Sequence, residues 1–454
     1  MRPRIVDFTV FALGLLVVVP GTVLAHSGGL ANTQQTRSAV PTWLFLSTGG
    51  GVIGASFLLT TFVTDRDFVE TLHSIRTDFP ALPAFFEQSG RVIGLVGLGV
   101  VLWTGFLGSQ QPLENAAILL VWAGWWAGFT ITVYLAGNSW PAINPLRTIT
   151  APFDEGKLSY PDRLGGWPRV VGLLAIVWIE VVSPLADEPR ILATIVSIYL
   201  GISVAGAFLF GTETWFAHID PITAVFRQYG KVAPIQRVAG RTSIVLPGAR
   251  LISDEADDLS EVGLIIALIW GTTYDGFVST PLWNTIASSV VGAGIPAIVL
   301  YPLVLVVGFV VFLGTYWVAI SVTPRVAPTL VGTETIARFF APPLLTIAAG
   351  YHLAHYLGYS ITLSPALLAA LLRPFRVIQP MVIVLPEWFS VLPVAFVLGG
   401  HLVAVWVAHS VAYRLFPSRL QAIRSQLPIT LVMVCYTMVS LWIVTQPFAD
   451  PLYV

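Results

Sequence analysis

From Ala297 to Thr323 the chain runs AIVLYPLVLVVGFVVFLGTYWVAISVT without one charged residue. Wound as an α-helix, that stretch is about 40 Å long. A helix apolar on every face has no polar side to give to water, so it lies deep in a large core or in lipid. Several other runs reach the roughly 20 apolar residues that cross a bilayer. Only 10% of the 454 residues are charged, against about 25% in a soluble chain. These runs predict an all-α fold, a polytopic transmembrane helical bundle. The runs are continuous and lack the period-2 alternation of barrel strands, which excludes a transmembrane β-barrel. A net charge of -1 gives no sign of a nucleic-acid partner. One cysteine, Cys435, excludes a disulfide framework and a thiolate metal cluster.

The beginning has the layout of a signal peptide. Arg2 and Arg4 form a basic head, Phe8 to Val19 an apolar stretch, Pro20 and Gly21 a break, and Val23-Leu24-Ala25 a small-residue cleavage site. The expected division is a signal peptide over 1–25 and a single transmembrane helical domain over 26–454, with His26 as the first mature residue. About ten mature spans are expected, near 42–63, 91–108, 115–136, 168–186, 190–210, 261–276, 298–322, 339–359, 391–413 and 425–446. The connection Gly276 to Pro296 reads as re-entrant or interfacial, and 362–390 is apolar but interrupted by Arg373, Arg376 and prolines. With the mature N-terminus outside, the outer segments hold only Arg37, Arg190, Arg373 and Arg376, while the inner ones hold the remaining basic residues of the loops. The positive-inside rule then predicts a multi-pass protein of the cell (plasma) membrane with both mature ends outside.

A weak internal repeat follows the third and fifth spans. "NSWPAINPLRTITAPF" and "ETWFAHIDPITAVFRQYGKVAP" each place a Trp shortly before Asn144-Pro145 or Asp220-Pro221, then a basic amphipathic stretch. Asx-Pro is good turn chemistry in its own right, and duplicated helix pairs are common in transporters.

Ionisable groups at membrane depth are functional-site hypotheses by default, because their burial must be offset. On the spans above, Glu180, Asp275, His352, His355 and His401 share the outer half of the bundle, with His409 near the inner end of its span. His352 and His355 project within about 60° of each other on a helix, a spacing that allows two ligands to one ion. His401 and His409 are about 12 Å apart along the axis and cannot share one. Imidazoles suit zinc or copper, and zinc with three protein ligands activates a bound water. The candidate ligands are therefore His352, His355, His401 and, through its α-amine and ring, His26 with copper. Glu180 and Asp275 are the candidate catalytic groups. The bland reading is that these side chains only hydrogen-bond between helices; a proton relay and haem held by His355 and His401 are further alternatives. "WAGWWAG" at 122–128 reads as a packing face, and "SDEADDLSE" as a solvated acidic patch that caps a helix at Ser260 and Glu261.

Together "AHSGG…VPTWLF", "GNSWPAINPLRTI", "HIDPITAVFRQYGKVAP", "TTYDGFVSTPLW", "AHYLGYS", "GGHLVAVWVAHS" and "RSQLPITLVMVCYT" resemble, in order and along nearly the whole chain, the membrane proteins of actinobacteria and haloarchaea labelled fenitrothion hydrolase. The resemblance implies a membrane-bound hydrolase of an organophosphate triester, without fixing catalytic residues. It marks His26, Asn144-Pro145, Asp220-Pro221, Asp275, His355, His401 and His409 as motif positions. The chain departs from the pattern after His409, where Ser410 and Val411 replace an acidic and a basic residue. Three functions follow as expectations: metal-assisted hydrolysis or metal handling at the outer face; a secondary transporter coupling protons or a small-molecule or metal-ion substrate through Glu and His; and a non-catalytic assembly or cofactor-delivery factor.

Overall fold

The computed structural model describes residues 17–20, 42–63, 66–67, 69, 71, 75–80, 85–238, 241–376, 379–447 and 449–452. His26, and all of the expected signal peptide except 17–20, lie outside the described residues. The elements in chain order are β1 (Val17–Pro20), α1 (Thr42–Val63), β2 (Thr77–Pro80), α2 (Phe85–Leu107) and α3 (Ala116–Ala136). Next come α4 (Pro145–Thr150), α5 (Trp167–Val182), α6 (Pro189–Phe210), α7 (Pro221–Val232), β3 (Ile235–Val238) and β4 (Arg241–Ile244). The rest are α8 (Leu259–Val278), α9 (Pro281–Gly292), α10 (Ala297–Val326), α11 (Thr333–Phe340), α12 (Leu345–Leu372), β5 (Met381–Val384), α13 (Leu392–Leu415) and α14 (Arg419–Val444). The protein is an all-α helical bundle. Its short strands only pair β1 with β5 and β4 with β2 and β3, all antiparallel.

A helix falls on each of the ten expected spans, and eight of them are long and apolar enough to cross a membrane. The other two are α1, whose apolar part is Leu46–Thr61, and α5, which has 16 residues. Apolar surface faces outward on the peripheral helices. Only 17% of the most apolar window of α10 is buried, and 28% for α2 and α6, whereas α8 is 83% buried. Val299, Leu303, Val306, Val307, Val310 and Val311 stand exposed along α10. Water would not tolerate an apolar face of that extent, and a bilayer takes it as solvent.

One sequence boundary is corrected. The eighth span does not stop at 359; α12 continues as one helix to Leu372, and Arg373 caps its end. His352 and His355 are thus nearer the start of their helix than the shorter span implied. The Gly276 to Pro296 connection holds α9, whose Thr280 side chain accepts from the Trp283 amide.

The repeated Trp/Asx-Pro stretches build the same local device twice. The Asn144 side chain caps α4 by accepting from the amides of Leu146 and Arg147, and Asp220 caps α7 by accepting from Thr223. Proline in the first turn suits a position whose amide has no helical partner. The two caps touch, Asn144 Nδ2 lying 3.4 Å from Thr223 Oγ1. Trp140 packs on Phe226 of the second unit at 5.1 Å, while Trp215 packs in one cluster with Leu146 of the first.

The acidic stretch before α8 is not a solvated patch. Asp258 is the capping residue, accepting from the Glu261 amide. Glu261 is 1% exposed and takes hydrogen bonds from Gln228 and from Lys231, which also pairs with Asp254. The buried charge is compensated, and the network ties α7 to α8.

Candidate functional site

The cavity of interest forms where α3, α5, α7, α8 and α12 converge. Glycine sets the spacing. A Cβ on Gly271 would stand 3.3 Å from Val177, so α8 lies close against α5 there. A Cβ on Gly276 would stand 2.4 Å from Tyr351 Oη and 3.6 Å from His355 Nε2, so that glycine leaves the room those two side chains occupy. On the far side, the middle of α3 (Leu119–Phe129) is wound as a π-helix. Such widened turns recur at functional sites, and this one carries Trp126.

The cavity has a volume of about 40 Å³ and is lined by Glu180 of α5, Asp275 of α8, Tyr351, His355 and Tyr356 of α12, Trp126 and Tyr229, with Thr272, Gly271 and aliphatic side chains closing the rest. It holds about two or three water molecules. Glu180 and Asp275 are half-buried, since each lends surface to the cavity. Asp275 is the charge beside Glu180, and the Tyr356 side chain is within hydrogen-bonding reach of Asp275. Neither carboxylate has an ion-pair partner among the described residues; the ion pairs described are Arg76–Asp78, Arg147–Glu213, Lys231 with Asp254 and Glu261, and Arg338–Glu255. Two adjacent carboxylates without Lys or Arg repel each other, and one bound positive charge relieves that repulsion.

Behind the cavity wall a polar file continues. The His352 ring lies 4.6 Å from Tyr356, 5.6 Å from Trp126, 5.8 Å from Tyr134 and 5.9 Å from Tyr229. Its Nδ1 is 3.4 Å from the Tyr134 hydroxyl, and its buried Nε2 has no hydrogen-bond partner among the described residues. Asp275, Tyr356, His352 and Tyr134 therefore follow one another across the bundle. Tyr134 is two residues from the end of α3, and Asp275 three from the end of α8. His355 stacks on Tyr351 at 4.6 Å, and its buried Nδ1 faces the Tyr351 carbonyl without hydrogen-bond geometry.

Of the five groups expected to share a site, the structure brings together Glu180, Asp275 and His355, places His352 directly behind them, and leaves out His401. The reason is helix rotation. Gly350 and Gly400 meet where α12 crosses α13, so a Cβ on Gly400 would sit 2.5 Å from the Thr346 carbonyl. Position 401 is turned about 100° from that contact. His401 bonds through Nδ1 to the Val397 carbonyl at 2.8 Å and does not line the cavity. The expected zinc or copper ligand set is thus not assembled. Among the described residues no three His, Cys, Asp or Glu side chains gather closely enough to hold a metal ion. His409 is an interhelical tie, with Nδ1 3.0 Å from Gln426 Oε1 on α14. Sequence reasoning passed over Trp126, read as packing, and Tyr229, which lay in the repeat; the tyrosines of GYHLAHYLGYS were the available signal for Tyr351 and Tyr356.

Fold and cavity define a helical membrane bundle with an internal carboxylate pair walled by aromatic rings and one imidazole. No family model, no curated protein and no solved structure matches the chain.

Proposed function

We propose that the chain is a secondary transporter of the cell membrane in which Glu180 and Asp275 together carry the coupling proton. The observation that carries this reading is the pair itself: two carboxylates from separate helices in one small cavity, with no Lys or Arg among the described residues that line it. A proton satisfies such a pair with a single positive charge and needs no ligand shell. The file through Tyr356, His352 and Tyr134 supports a route for that proton toward the opposite end of α3, because hydroxyl and imidazole groups both donate and accept. Intramembrane carboxylates that face a cavity are the usual elements of such relays. Metal-assisted hydrolysis would need ligands that α12 and α13 do not bring together, and room for an aryl phosphotriester beside them.

In this reading the excess of Lys and Arg in alternate loops places both mature ends outside. The test is an infrared difference spectrum of the protein in lipid. A protonated-carboxyl band should grow on acidification, shift in heavy water, and be lost in both Asp275→Asn and Glu180→Gln. A wild-type spectrum from which neither substitution removes a band would overturn the proposal.

A further inference from the structure

The geometry points to a small N–H cation, an ammonium or short alkylammonium ion, as the substrate exchanged for the proton at the Glu180–Asp275 pair. This inference rests on the transporter reading and names its substrate class.

The walls of the cavity carry two carboxylates, one imidazole and hydroxyl oxygens that can accept, and no Lys or Arg. Glu180 and Asp275 present carboxylate oxygens. The His355 Nε2 lies on the Gly276 side, and a neutral imidazole always leaves one of its two ring nitrogens able to accept. Tyr351 is 3% exposed, lines the cavity, and its hydroxyl has no partner among the described residues. An unsatisfied buried hydroxyl is costly, and its oxygen can accept from an N–H donor bound beside it. The aromatic residues Trp126, Tyr229 and Tyr356 complete the lining, with Thr272 beside them. Ring faces attract cations, Trp most strongly, and do so best where water is excluded.

Two carboxylates, an imidazole and aromatic rings together favour a cation that also donates N–H bonds. A divalent ion wants a shell of oxygen ligands, and among the described residues no three His, Cys, Asp or Glu side chains gather to hold one. A volume of about 40 Å³ leaves space for a cation of a few heavy atoms. Charge balance makes cation and proton exclusive. When an alkylammonium enters, the proton held by the pair leaves through the Tyr356–His352 file, and the net charge of the site is unchanged. The exchange is electroneutral and forms no covalent bond.

The experiment uses the purified protein in lipid nanodiscs, weakly buffered near neutral pH with an indicator dye. It is titrated separately with ammonium, methylammonium, tetramethylammonium and sodium chlorides. Saturable proton release is expected with ammonium and methylammonium, and none with sodium or with tetramethylammonium, which has no N–H. Asp275→Asn should abolish the release. Trp126→Leu should weaken the apparent affinity about tenfold, and Trp126→Phe much less. Release by sodium equal to that by ammonium would overturn the inference. So would no release by either ammonium ion from a protein that shows the carboxyl band of the pair, which leaves the transporter reading standing. Absence of that band removes both.

Discussion

The crossing of α12 and α13 gives the sharpest quantitative test of the architecture. A methyl group on Gly400 would meet the Thr346 carbonyl oxygen at 2.5 Å, about 0.9 Å short of the 3.4 Å at which ordinary contact begins, and the Gly350 Cα at 3.1 Å, about 0.3 Å short of it. Both neighbours are backbone, so no rotamer relieves the clash, and one helix has to move. The move also stretches the bond from Thr346 Oγ1 to the Gly400 carbonyl, now 2.9 Å. A gap of 0.5–1 Å forfeits roughly a quarter to a half of each dispersion contact along the seam. Overpacking of this kind costs about 1–3 kcal/mol. Gly399 is the matched control, since a Cβ there meets nothing within 4 Å. Gly399→Ala should be neutral or gain up to about 1 kcal/mol from helix propensity. Thermal unfolding in detergent, followed by size-exclusion fluorescence, should rank Gly400→Ala below wild type by a few degrees and Gly399→Ala at or above it. Gly350→Ala, whose Cβ would lie 2.6 Å from the Phe396 carbonyl, should behave like Gly400→Ala. The double variant should lose less than the sum, because one displacement relieves both clashes. Equal stability of Gly400→Ala and Gly399→Ala would refute the close crossing, and with it the rotation that turns His401 away from the cavity.

Other expectations follow from particular residues. Burial raises the Asp220 carboxyl above its ordinary value of 3.8, against hydrogen bonds from Thr223 and Tyr199 that lower it. A raised folded value means a contribution to stability that is full below the unfolded value and is lost as pH rises through the folded one. Asp220→Asn keeps the cap without the charge, so it should match wild type in acid and exceed it near neutral pH; a difference constant with pH would contradict the assignment. Asn144→Ala removes a buried cap serving two amides and should cost about 1–2 kcal/mol in thermal unfolding. Cys435 is exposed in the middle of α14. If its surroundings are lipid, a charged maleimide should fail to label it in the bilayer yet label it after denaturation, since the thiolate is the reactive form. Labelling of the folded protein would speak against the membrane belt. His409→Leu, which strands the Gln426 amide oxygen, should lower stability by about 1–3 kcal/mol while leaving the carboxyl band of the pair intact.

The apolar runs determined the class of fold outright. A stretch such as 297–323 has one physical solution, a helix with its backbone bonds closed internally and its sides in lipid or in other helices, and that solution needs no tertiary information. The positions of the ten helices followed from the same runs, and the two Asx-Pro caps from local turn chemistry. Composition also marked which side chains are expensive at membrane depth: Glu180, Asp275 and the histidines. Which of these meet was decided only in three dimensions. Spacing along one helix fixes relative angle, so His352 and His355 were legible as neighbours. It says nothing about how far a helix is rotated against its partners. That rotation is set at contacts such as Gly350 with Gly400 and Gly271 with Val177, where the absence of a side chain lets backbones approach. The same contacts bring Glu180 to Asp275 and carry His401 out of reach, while the packing of α3 against α12 makes Trp126, indistinguishable in sequence from the packing tryptophans beside it, a wall of the cavity.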